Sequence, residues 1–322
     1  MEAVTDESIL NQLPGFQQRT ELDAIPTREE VVLAINKMKN GKAPGNDGIP
    51  AEIFKHGGDL LTDRLYQLIV MSWQQGIVPQ GFKDVSIVPI FKNKGNHHIC
   101  GNYRGISLLA TGGKTMAKIA QARLSRLAEG ILTESQCGFR RERSTIDMIF
   151  SLRQIQEKAV EQCRDLYIVF VDFRQAFDTV DRLLLWRVLE AFGCPPRLAK
   201  IIREFHDGTK GRVVVGNDEN TEISVCHGTK QGCVLAPTLF SIFLTVVLLV
   251  LHQETNDGIY VRHRTDGKLF NLSRLKAVTK TKTELIRELL FADDTALVAH
   301  TKDQLQSLLD TFSAASKKWA SN

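Results

Sequence analysis

The chain has 322 residues, is 43% hydrophobic and carries a formal net charge of +4, which excludes wholesale disorder and allows one large domain or two small ones. So small a net charge says little about partners, but its distribution says more. Between Val85 and Ala128 stand Lys92, Lys94, Arg104, Lys114, Lys118, Arg123 and Arg126 with no Asp or Glu among them. A solvated face mixes signs, so a one-sign stretch favours a polyanion partner, with Lys118, Arg123 and Arg126 as candidate nucleic-acid contacts. The six cysteines form no CxxC pair and no signal peptide is visible. They read as reduced thiols in a cytosolic or nuclear protein.

Residues 1–26 are polar and aperiodic, and read as an arm or linker remnant. Thr27-Arg28-Glu29-Glu30 is an N-cap with an acidic first turn, predicting a helix through Met38 that stops at Asn40-Gly41. The loop Pro44-Gly45-Asn46-Asp47-Gly48 follows a lysine, Lys42; a phosphate contact and an ordinary helix-linking turn both fit it. Helical spacing predicts a packed helix over Leu60–Trp73. Val85–Phe91 alternates like a strand and delivers Lys92 and Lys94, Asn102–Leu109 is a second short strand or turn, and a basic helix follows from Gly112 to about Leu127. His97-His98-Ile99-Cys100 has no second ligand pair at zinc spacing and reads as a polar loop.

An amphipathic helix is predicted over Thr145–Cys163, then helices over 181–192 and 197–206, with Asp178 as a helix-start cap. Arg212–Val215 and Glu222–Val225 read as a hairpin. The apolar helix from Pro237 to Leu251 falls short of the ~20 residues a bilayer needs, so it is expected in the core and no membrane partner is expected. A hairpin over Ile259–Phe270, turning at Thr265-Asp266-Gly267, precedes a basic segment with Lys276, Lys280 and Lys282. A helix over Lys302–Trp319 ends the chain, and one mixed α/β unit is the simplest account.

The chemistry concentrates in two stretches. Leu289–Val298 has apolar runs flanking Asp293 and Asp294, the pattern of a β-hairpin with carboxylates at its tip. An isolated Asp-Asp pair is ordinary turn chemistry. Here a second acid weighs against that reading. Tyr167–Val171 is a continuous apolar run, the signature of a strand buried on both faces, and it ends abruptly in Asp172. A carboxylate at one strand end and two at a neighbouring tip would cage two hard metal ions, about 3.5–4 Å apart, for an in-line phosphoryl displacement. That chemistry points to a nucleotidyl transferase.

Three segments occur in order: Asp172-Phe173-Arg174-Gln175-Ala176-Phe177-Asp178, Gly228-Thr229-Lys230-Gln231-Gly232-Cys233-Val234-Leu235-Ala236-Pro237, and Phe291-Ala292-Asp293-Asp294. They resemble the A, B and C motifs of reverse transcriptases in the form used by non-LTR (LINE-type) retrotransposons. Upstream, Lys42–Pro50, Asn102–Leu109 and Gln136-Cys137-Gly138-Phe139-Arg140 resemble the same family's fingers motifs, so the likeness runs from about Thr27 to the C-terminus.

The resemblance implies an α/β (α+β) right-hand polymerase fold with fingers over about 27–160 and palm over about 161–322, the thumb missing. It implies RNA-directed DNA polymerase activity with two Mg²⁺ ions on Asp172, Asp293 and Asp294, an RNA template, a DNA primer and dNTPs. Lys92 and Arg104 would hold the triphosphate, Phe177 would lie under the sugar and exclude a 2′-hydroxyl, and Gln231 and Gly232 would contact the nucleotide and templating base. The family continues into a thumb and carries an endonuclease. This chain is therefore expected to be a weakly processive fragment, with those parts supplied by another chain. The alternative is a non-catalytic nucleic-acid-binding remnant of a retrotransposon polyprotein.

Overall fold

The computed structural model describes residues 15–173, 177–215, 218–219, 222–230, 232–264 and 281–319. The chain forms two compact units, each built from separate stretches of sequence. The first gathers Met1–Leu132, Gln175–Phe243 and Trp319–Asn322; the second gathers Thr133–Arg174 and Leu244–Lys318. The physical reason lies in residues 133–138, which bond along the C-terminal hairpin described below and draw the following helix and strand into its unit.

In the first unit, helix α1 (Arg28–Asn36) begins with a complete capping box between Thr27 and Glu30, as the local pattern requires. Helices α2 (Ala51–His56), α3 (Gly58–Gln75) and α4 (Gln80–Lys83) follow. Strands β1 (Val85–Phe91) and β2 (Tyr103–Leu109) form an antiparallel hairpin, and α5 (Thr111–Glu129) follows it. After the second unit's α6 (Thr145–Glu161) and β3 (Tyr167–Val171), the chain adds α7 (Arg182–Ala191), α8 (Pro196–Glu204), β4 (Lys210–Val215), β5 (Asp218–Glu219) and β6 (Ile223–Ser224). The sheet order is β2-β1-β4-β5, with β6 also on β4 and β1 parallel to β4. Trp73, Ile69, Met116 and Leu124 are fully buried in its core.

The described part of the N-terminal arm, from Gly15 on, belongs to this unit. Leu22 is buried, and the Asp23 carboxylate accepts from the amides of Arg197 and Leu198 at 3.2 and 2.8 Å, capping α8. The cap of α7 is Asp181, which accepts from the Leu184 amide at 3.0 Å, so Asp178 is not the helix cap expected. An aspartate three residues too early cannot reach that orphan amide.

Helix α9 (Ala236–Glu254) leads from the first unit into the second. At 19 residues it is long and apolar enough to cross a membrane, so the length argument fails. Burial carries the core assignment instead: Leu239, Ile242, Val246, Val247 and Leu251 are all within the core.

In the second unit, strands β7 (Ile259–Arg264) and β8 (Thr281–Ile286) pair antiparallel. The return strand of the expected Ile259–Phe270 hairpin is therefore β8, which contains Lys282; Lys276 and Lys280 lie outside the described residues. Strands β9 (Glu288–Phe291) and β10 (Asp294–Ala299) make the acidic hairpin, and α10 (Lys302–Trp319) follows. The sheet order is β3-β10-β9. Ile155, Ile259 and Val298 centre its core with Leu152, Ile168 and Leu289 around them. β3 is not buried on both faces, since Phe170 is 72% exposed; among the described residues it pairs with β10 alone.

Candidate active site

Asp172 directly follows β3, and β10 runs antiparallel beside that strand with Thr295 opposite Val171. One step further along the same register brings Asp294 to the end of β3 where Asp172 lies. The β9–β10 hairpin closes with Phe291 opposite Asp294, leaving Ala292 and Asp293 as a two-residue turn. Ala292 has φ 61°, and Asp293 has no positive φ, the pattern of a type II′ turn. Asp172 and Asp294 are both exposed and line one cleft of about 260 Å³ whose wall is apolar, including Ile149, Leu152, Phe170 and Leu289.

Among the described residues, no three His, Cys, Asp or Glu side chains gather into a preformed metal site. Asp172 and Asp294 still offer hard oxygen donors to one cleft. That donor set fits Mg²⁺, which binds through one or two carboxylates and takes its remaining ligands from water and substrate phosphates.

The sequence reading missed the residues that hold this turn. Gln136 is 1% exposed, and its side-chain amide engages both backbone polar groups of Ala292. The segment Gln136–Arg140, expected in the fingers, thus lies against the C-motif hairpin.

In the first unit, the end of the A motif meets the B motif. Thr229 donates its amide and its hydroxyl to the Phe177 carbonyl at 2.7 and 3.2 Å. A Cβ on Gly228 would lie 2.5 Å from both Asp178 Cα and Phe177 O, so only glycine permits this approach, at φ +63°. The Phe177 ring lies 5.0 Å from the buried Phe240 ring. Arg182 donates to the carbonyls of Val225, His227 and Gly228 at 3.0, 3.1 and 2.7 Å, and to that of His206 at 3.0 Å. Lys230 is buried, donating to the carbonyls of Lys83 and Phe205 and to the Thr209 hydroxyl, and burial lowers its pKa to about 8. Gly232, at φ +95°, packs its backbone on Ser107 of β2, while Gln231 lies outside the described residues.

Lys92 and Arg104 occupy the loop end of the β1–β2 hairpin. Lys92 pairs its amide with the Asn102 carbonyl and Arg104 lies opposite Ile90, which puts both side chains on one face, and both are exposed. The Lys92 ammonium donates to the Gly101 carbonyl at 3.0 Å.

Five lysines, Lys37, Lys39, Lys42, Lys114 and Lys118, line a cleft of about 300 Å³ between α1, the Lys42 loop and α5. Burial lowers the pKa of Lys114, and burial followed by the charges of Lys37 and Lys114 lowers that of Lys118. The expectation for Arg123 is corrected. The residue is 4% exposed, and its guanidinium pairs with Glu30 at 2.8 Å, donates to the carbonyls of Leu22 and Ala24 and covers the Trp73 ring at 4.7 Å. A cation so enclosed has no donor to offer a duplex. Arg126, one turn on, is exposed and acts on Glu30 by charge.

Comparison with known proteins agrees with these motifs. The chain is 27% identical over 320 residues to the RNA-directed DNA polymerase from mobile element jockey of Drosophila melanogaster, covering 95% of this chain and 31% of that protein. It is 24% identical over 315 residues to the Transposon TX1 uncharacterized 149 kDa protein of Xenopus laevis, covering 96% and 23%. It is 27% identical over 232 residues to the Retrovirus-related Pol polyprotein from type-1 retrotransposable element R2 of Popillia japonica, covering 72% and 31%. The chain thus spans between about a quarter and a third of the length of these relatives. The family described as Reverse transcriptase (RNA-dependent DNA polymerase) matches residues 90–322, and the chain belongs to it.

Proposed function

We propose that this chain is an RNA-directed DNA polymerase domain that adds dNTPs to a primer 3′-hydroxyl on an RNA template. The observation that supports it most is the pair of carboxylates, Asp172 and Asp294, brought to one cleft from adjoining strand ends by the β3–β10 register. Asp172, Asp293 and Asp294 would hold two Mg²⁺ ions, which when bound supply Lewis-acid stabilisation of the attacking hydroxyl and the leaving pyrophosphate. Lys92 and Arg104, cations on one solvated face, grip the triphosphate, for which Arg offers a bidentate fork. Phe177 limits the space at the sugar, and its backbone is fixed to the B-motif segment through Thr229. Gln231 and Gly232 belong to the segment assigned to the nucleotide and templating base. The cleft of Lys37, Lys42, Lys114 and Lys118, with Arg126 further along α5, takes backbone phosphates of the nucleic acid.

Primer extension on an RNA template with Mg²⁺ and dNTPs tests the reading. Templated products that disappear with EDTA are expected. Binding of template-primer with no extension at any metal concentration would overturn it in favour of a non-catalytic nucleic-acid-binding remnant.

A further inference from the structure

The turn that carries the paired aspartates contains an L-residue, Ala292, at φ 61°. An alanine there is sterically disfavoured, and such a conformation persists only where its surroundings over-determine it. The surroundings here are specific. Gln136 Oε1 accepts from the Ala292 amide at 3.0 Å and from the Gly138 amide at 2.7 Å, while Gln136 Nε2 donates to the Ala292 carbonyl at 3.3 Å. Both polar groups of one turn residue are thus read by one buried side chain. Gly138 brings its backbone against the same residue: a Cβ there would collide with the Ala292 amide nitrogen and lie 2.7 Å from its Cα.

The clamp is itself anchored. Cys137 donates its amide to the Leu290 carbonyl and Leu290 donates its amide to the Ser135 carbonyl, each at 2.9 Å, so residues 135–137 lie in fixed register on β9. The Ser135 hydroxyl bonds Glu288 at 2.9 Å, and Arg140 donates to the carbonyls of Thr133 and Gln136 at 2.9 and 3.2 Å. The turn is therefore gripped at its first central residue by a rigid strap, and Asp293 is the second.

We propose that Gln136 is a positioning residue for the acidic turn: it holds Ala292 in the left-handed conformation and so fixes the directions of Asp293 and Asp294. This inference rests on the polymerase reading, but its primary measurement does not require activity. An isosteric apolar replacement, Gln136→Met, should raise the hydrogen-exchange rate of the Ala292 amide at least a hundredfold while the β3–β10 amides Val169 and Leu297 keep their protection. Mn²⁺ affinity, measured by titration without nucleic acid, should fall about tenfold. In primer extension kcat should fall at least tenfold with the KM for dNTP changed less than twofold.

Glycine adopts positive φ at no steric cost, so Ala292→Gly added to Gln136→Met should recover at least half of the lost log kcat. Gly138→Ala, which leaves Gln136 in place and pushes on Ala292 from the backbone side, should reproduce the losses and serves if Gln136→Met does not fold. Wild-type Ala292 exchange and Mn²⁺ affinity in folded Gln136→Met would overturn the proposal, as would equal loss of protection through β3 and β10 with no rescue by glycine. Failure of the wild-type chain to extend a primer would instead overturn the polymerase reading and leave the exchange result standing.

Discussion

The carbonyl of Phe177 accepts two hydrogen bonds from Thr229, one from its amide at 2.7 Å and one from its hydroxyl at 3.2 Å, tying together two motifs 52 residues apart in sequence. That tie fixes the Phe177 backbone, while Phe240 supports its ring at 5.0 Å. A supported ring is a steric wall, and Phe177→Val lowers that wall. The ratio of kcat/KM for ribonucleotide to that for deoxyribonucleotide should rise by about 10–100-fold, the range available to a change of pocket shape. An unchanged ratio in a stably folded variant would make the ring a packing residue only.

The carboxylates permit a cleaner test, because Asp172 and Asp294 are exposed and support no core. Asp172→Asn and Asp294→Asn should each cut primer extension at least about a hundredfold, more than the 10–100-fold typical of losing a group that merely supports a metal ligand. Thermal midpoints should stay within about 2 °C, as for surface substitutions. Extension within threefold of wild type in either variant would remove that residue from the assignment.

What the sequence made legible was local. The Thr27–Glu30 capping box, strand Val85–Phe91, the Asp293–Asp294 hairpin and the helix Lys302–Trp319 are each written in a few adjacent residues, and each is present. Long-range partners were not legible. Arg123 reads as one more cation on a basic helix until Glu30, 93 residues away, and the Trp73 ring enclose it. Gln136 reads as part of a fingers motif until it meets Ala292 across 156 residues. The apolar run Tyr167–Val171 suggested burial on both faces, yet Phe170 is 72% exposed, because an apolar run does not say what covers each face of its sheet. Asp266-Gly267 suggested a tight hairpin, yet the strand that pairs with β7 starts only at Thr281.

His206 provides a pH signature. It is fully buried, and burial followed by the nearby Lys230 cation lowers its pKa to about 3, despite a bond between Nδ1 and the Ile202 carbonyl at 2.8 Å. The folded state therefore keeps the ring neutral where the unfolded state, near the ordinary value of 6.5, takes up a proton. Stability is fully present above pH 6.5 and is lost as pH falls towards 3, with a limiting slope of about 1.4 kcal/mol per pH unit from this group. His206→Gln, which cannot titrate, should flatten that limb in denaturant melts between pH 6.5 and 4. A limb as steep as wild type would place the acid sensitivity on other groups.

The final prediction separates the lysine cleft from Arg123, both on α5. Affinity for a polyanion rests on phosphate contacts, each contributing about 0.7–0.9 to the logarithmic salt slope. The Lys114→Ala/Lys118→Ala pair should therefore lower the slope by about 1.5 with little change in stability, since both lysines are half-buried at the cleft and their charged forms are already disfavoured there. Because their pKa values are lowered, template-primer affinity should also begin to fall with rising pH before the ordinary lysine range is reached. Arg123→Ala should behave in the opposite way. It removes the ion-pair partner of Glu30 and the donor to the carbonyls of Leu22 and Ala24, costing about 3–5 kcal/mol of stability, while the folded fraction keeps the wild-type salt slope. A wild-type slope in the double lysine variant would move the nucleic acid off this cleft, and a reduced slope in folded Arg123→Ala would return that residue to the nucleic-acid contacts.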